Sequence, residues 1–251
     1  MSRPDVAATL RIEAQSLARL SRAHLQSVLA AGEEILECYR VLRKAGRNVV
    51  AEVLSGQGTF YEHDHYPEGD VYDPDTHAQY YYHAHRGAVP EHGHFHTFLR
   101  AAGMPEDVRP APYAGPIERP CGEEALSHLV GISMDARGYP LGLFATNRWV
   151  TGETWYRGED VIRMVERFVI DHAHPSWPTN RWITAMLVLF RPQVEWLVRE
   201  RDRVVHERAR ADPGVDVFED RKLEITGYVA VSVEEQIAAV RGALERTTAT
   251  G

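Results

Sequence analysis

The chain has 251 residues, 44% of them hydrophobic and 25% charged, a globular composition with enough apolar material for a sizeable core. Its 28 basic residues against 36 acidic ones give a formal charge of -8, which argues against a broad nucleic-acid-binding surface built on clustered positive charge. Two cysteines, Cys38 and Cys121, lie far apart in no paired motif, so neither a disulfide scaffold nor a thiolate-rich zinc site is expected.

Residues 4–47 are rich in Ala, Leu, Glu and Arg, with Leu17, Leu20, Leu25, Leu29 and Ile35 near helical spacing, and predict a helix. After Gly56-Gln57-Gly58 the character changes to alternating aromatic, Thr and His residues punctuated by Gly and Pro, which predicts strands at 58–66, 78–86 and 92–99. Residues 67–75 read as a turn-rich loop and 100–125 as a proline-rich connection. A hairpin is expected from 127–133 and 140–147, then a helix over 158–170 and a second over 179–208, kinked near Pro192. A strand at 222–231 and a helix from Val233 to Arg246 complete the plan, with Ser232 and Glu235 as a capping box.

The resulting expectation is an α+β fold: an antiparallel sheet of about five to six strands packed by N- and C-terminal helices. All of 1–251 is read as a single domain, with a helical part over 1–50, a His-rich sheet over 56–150 and a mainly helical part over 155–250. The longest strongly apolar run, Ile183 to Phe190, is far short of the ~20 residues that cross a bilayer, and no signal pattern opens the chain. The expected setting is cytoplasmic, with no membrane or nucleic-acid partner and room for a homodimer.

Eight of the thirteen histidines fall between positions 63 and 96. Residues two apart in a strand share a face, so His63 with His65, His83 with His85, and His92 with His94 and His96 form three one-sided sets. If 78–86 and 92–99 close symmetrically, His85 faces His92, His83 faces His94, and Tyr81 faces His96. Opposed Cβ atoms lie ~5 Å apart, close enough for several imidazoles to share one ion. A slip of one residue in either strand would put the two sets on opposite faces.

Isolated HxH pairs are ordinary sheet residues. Three such strands in succession are different, because closely opposed imidazoles repel when protonated and a metal relieves this. His63, His65, His83, His85, His92, His94 and His96 are the expected ligands. Parity turns Glu62 and Asp64 away from the first pair, and Glu91 away from His92 unless the turn bends it back, so the shell is expected to be all imidazole. Such a shell suits iron or copper, with zinc as the alternative cofactor. Tyr81, on the His face, is the expected hydrogen-bond or proton donor, and Glu91 the expected acid–base residue. His128 either reaches the same face or sits in the core. Arg148 and Glu153, in a polar and aromatic segment, are expected to hold a substrate.

The segments HYPEGDVYD, QYYYHAHR, EHGHFHTF and LFATNRWVTGE resemble an uncharacterised bacterial His-rich family of unknown function that covers most of the chain. That resemblance implies no established activity. HExxH, GxSxG, Walker and dinucleotide motifs are absent. The functional expectation is an iron- or copper-dependent oxidoreductase or oxygenase acting on a small molecule. A zinc-dependent hydrolase or lyase using Glu91 or Asp64 as base is the first alternative, and a non-enzymatic metal-binding protein the second.

Overall fold

The computed structural model describes residues 17–85 and 91–249. The fold is α+β. A six-stranded antiparallel sheet runs in chain order: β1 Tyr66–Tyr72, β2 Ala78–His83, β3 Gly93–Arg100, β4 Leu126–Met134, β5 Pro140–Thr146 and β6 Ile225–Ala230. Helices α1 Arg22–Lys44 and α2 Val49–Val53 precede it. Within the β5–β6 connection lie α3 Arg148–Thr151, α4 Gly158–Val165, α5 Trp177–Leu189 and α6 Arg191–Ala211, and α7 Val233–Ala249 follows β6.

Ser21 starts α1 by accepting the His24 N–H at 3.3 Å, and Leu25, Val28, Ile35, Tyr39 and Leu42 form its buried stripe. Arg43 and Lys44 in the last turn complement the negative end of the helix dipole. The predicted start at residue 4 lies outside the described residues. α1 packs on α5 and α7. At Gly32 a Cβ would fall 2.5 Å from Ile237 Cγ1, so only glycine permits this approach.

Two expectations need correction. The first strand is Tyr66–Tyr72, not 58–66. Its Pro67, Gly69 and Asp70 read as turn residues, but β1 is an edge strand pairing only with β2, where Pro is tolerated. The register shifts between Tyr66 and Val71, with Gly69 (φ 83°) and Asp70 (φ 60°) in left-handed backbone. Residues 58–65 form a loop instead. Second, the helix expected over 179–208 is broken rather than kinked. α5 ends at Leu189, and Pro192, which cannot donate to residue 188, sits in the first turn of α6.

The two faces of the sheet have different fates. Tyr80, Tyr82, Phe95, Val130, Ile132, Leu143 and Val229 join the main core beneath the helices. Trp182 of α5 packs on Phe95 at 5.6 Å, and the Tyr80 hydroxyl donates to Asn180 Oδ1 at 2.6 Å. The opposite face carries the histidines.

Candidate metal centre

β2 and β3 pair with Tyr81 opposite His96 and His83 opposite His94, the register the sequence predicts. Alternation then sets all four side chains on one face. His94 and His96 are completely buried and His83 half-buried. The His83 ring centre lies 4.5 Å from that of His94 and 5.2 Å from that of His96, and His94 and His96 are 5.0 Å apart. One nitrogen from each of these three rings lies within 4.8 Å of the others. In a tetrahedral shell with bonds of about 2.1 Å, donor nitrogens are about 3.4 Å apart, so small ring rotations close the set on an ion. Among the described residues no other group of three His, Cys, Asp or Glu converges this closely.

Two neighbours fix ring orientation. His94 Nδ1 lies 2.9 Å from Glu91 Oε1. A carboxylate only accepts, so Nδ1 carries the proton and Nε2 is the donor atom His94 offers to a metal. The Ser133 hydroxyl donates to the other Glu91 oxygen, Oε2. His96 Nδ1 lies 2.9 Å from His128 Nε2, and His128 Nδ1 lies 3.5 Å from Thr146 Oγ1. Burial, aided by the charge of Arg201 and by His94, lowers His128 to about 3, so it stays a neutral acceptor or donor. His128 reaches the His face because the β3–β4 register shifts between Thr97 and Phe98, setting Phe98 opposite it.

Aromatic rings enclose the cluster. Phe144 of β5 sits edge-on to His94 at 5.3 Å and His96 at 5.6 Å. It occupies the space over Gly131, where a Cβ would fall 2.2 Å from the ring. Tyr81 lies 5.2 Å from both His83 and His96. Burial, reinforced by the Asp70 and Glu153 carboxylates, raises its phenol above the usual range and keeps it protonated. His65, from the loop before β1, stacks on Tyr81 at 3.6 Å, and its Nδ1 lies 3.0 Å from Asp70 Oδ1. Gln79 Nε2 donates to the other Asp70 oxygen at 2.6 Å.

The remaining expected ligands divide. His85 lies 4.9 Å from His83 and 5.0 Å from His94, and exposed His63 lies 5.5 Å from His85. The expected His85/His92 pair does not form. β3 begins at Gly93, so alternation does not extend to His92, whose Nδ1 instead lies 2.7 Å from the Tyr82 hydroxyl on the helix side. The turn expected to join the strands falls on residues 86–90, outside the described residues.

Glu91 is bent back after all, and it positions His94. Arg148 and Glu153 are buried and are not among the three converging imidazoles; Glu153 adjoins them through the His128 backbone. Arg148 bonds the Glu219 carboxylate and, through Nε, the Glu153 carbonyl at 3.1 Å. Glu153 Oε2 accepts the His128 backbone N–H at 2.6 Å. Ser133, Phe144 and Thr146 were not singled out by sequence. Strand parity carried forward from His94 and His96 into β4 and β5 is the signal that finds them.

The chain belongs to the family DUF6969, a domain of unknown function, whose model matches residues 29–231 and so spans the whole sheet and every residue of the cluster. No curated protein and no solved structure matches the chain.

Proposed function

We propose that this protein is a metal-dependent oxidoreductase of small molecules, holding one iron or copper ion between His83, His94 and His96. The convergence of these three imidazoles from adjacent strands is the observation that carries the reading. Three ligands on one side leave coordination positions open, and an iron or copper ion there would supply one-electron and oxygen chemistry. Neutral ligands leave the charge of the ion uncompensated, which favours binding of an anionic or electron-rich oxygen donor. Glu91 strengthens His94 as a donor by accepting its Nδ1 proton. Tyr81 offers a protonated hydroxyl-bearing ring beside His83 and His96. Phe98, Phe144 and Tyr81 restrict water around the cluster.

Zinc-dependent hydrolysis or lyase chemistry is the second reading, favoured by the carboxylate–histidine pair of Glu91 and His94, a common feature of zinc sites. Against it, both Glu91 oxygens are engaged, by His94 and by Ser133, so Glu91 serves as an orienting group rather than a base. The test is metal analysis of protein purified without an affinity tag, followed by oxygen uptake with a mild reductant. Stoichiometric iron or copper with oxygen uptake supports the first reading. Stoichiometric zinc and no uptake supports the second, and absence of any bound metal rejects both.

A further inference from the structure

His63 and His85 are drawn into the histidine array but not into the converging three, and they continue it outward. Exposure grades along the series: His63 is exposed, His85 and His83 half-buried, His94 and His96 buried. Ring centres step by 5.5 Å from His63 to His85, then by 4.9 Å to His83 and 5.0 Å to His94. The His63 backbone is left-handed (φ 71°), an uncommon state for a residue with a side chain, and its N–H donates to the Ala84 carbonyl at 3.0 Å. That bond ties the loop to the residue before His85 and sets the two rings within 17° of parallel.

Charge on the same loop and on the adjoining strand β1 points the same way. Between residues 59 and 72 stand Glu62, Asp64, Glu68 and Asp70, with no Lys or Arg. Asp64, Glu68 and Asp70 line an open polar cleft together with His65. A surface of one sign concentrates ions of the other, here cations, beside the loop that carries His63.

We infer that His63 and His85 form an outer, exchangeable metal-binding pair through which an ion reaches and leaves the buried His83/His94/His96 set. The inference rests on that set being the metal centre. Each step is a ligand substitution: one imidazole nitrogen binds as one water or one earlier imidazole departs, and no electron is transferred. Two imidazoles bind a borderline divalent ion weakly and release it readily, which suits transit rather than residence. His65 stands off this route, stacked on Tyr81 and bonded to Asp70.

A group that stabilises only transit states speeds loading and unloading equally and leaves the equilibrium alone. Stopped-flow loading of metal-free full-length protein with cobalt(II), and release into a chelator, are measured for the wild type, His63→Ala, His85→Ala and the double variant. Loading and release should both slow by about tenfold in the double variant, with the dissociation constant unchanged within about twofold. Unchanged rates would overturn the inference. So would an affinity loss confined to faster release in His85→Ala, which would make His85 a resident ligand. A wild type that binds no cobalt(II), copper(II) or zinc(II) would overturn the metal centre itself, an outcome distinct from the other two.

Discussion

Glu91 Oε1 lies 2.9 Å from His94 Nδ1, three residues along the chain, and the hydrogen bond is buried at both ends. It places the proton of His94 on Nδ1 and directs Nε2 toward His83 and His96. Glu91→Gln can present its amide nitrogen to His94 as readily as its oxygen, so the tautomer is no longer enforced. Metal affinity should fall by about 10–100-fold, with Glu91→Ala at the larger end. Titration with a competing chromophoric chelator measures this, and an unchanged affinity would remove Glu91 from the site.

His128 holds the His96 ring from its Nδ1 side at 2.9 Å, as Glu91 holds that of His94, with a neutral imidazole in place of a carboxylate. Because burial holds His128 near 3, its replacement changes no charge between pH 5 and 8. His128→Leu should therefore weaken metal binding about tenfold, without altering the shape of the affinity–pH curve over that range. A changed curve would mean that His128 titrates there.

Glu153 carries a pH signature of its own. Burial raises its carboxyl from 4.5 to about 7, against the pull of Arg201 and the His128 N–H. The unfolded chain releases this proton near the ordinary value, so through that window the folded state holds a proton that the unfolded state has lost. Stability therefore falls as pH rises across the window and levels off above it, at a cost of up to about 3 kcal/mol. Glu153→Gln keeps the acceptor for the His128 N–H and removes the ionisation. Denaturant unfolding should show the wild type losing stability relative to this variant as pH rises, and parallel curves would contradict the assignment.

Gly131 sits beneath the Phe144 ring, which in turn borders His94 and His96. Gly131→Ala forces a methyl group into that ring and should cost about 1–3 kcal/mol on chemical denaturation. The displaced ring also disturbs the two buried histidines, so metal affinity should fall in the same variant. Full stability would show that the ring shifts freely.

The pairs His83/His94 and Tyr81/His96 were legible in the sequence because alternation and a short connection fix parity. His92 was not, because parity holds only inside a strand and β3 starts one residue later, at Gly93. β1 was missed for a related reason. Pro67, Gly69 and Asp70 signal a turn, and only the edge position and the register shift allow a strand there. Glu91 was a named acid, but its reach to His94 depends on how the chain leaves the connection before β3, which spacing does not encode. His128 needed the register shift in β4 to place it against His96 and Phe98. Pro192 was recognised as a disruption, and its first-turn position in α6 shows why the disruption is a complete break.

The proposed metal centre takes one transition-metal ion through His83, His94 and His96. Calorimetric titration of metal-free, untagged protein with zinc(II) or cobalt(II), repeated on His94→Ala, measures that binding. One ion per chain for the wild type, lost in His94→Ala while the variant remains folded, is the predicted result. A wild type that takes up no ion, or a folded His94→Ala that binds as tightly as the wild type, would contradict it.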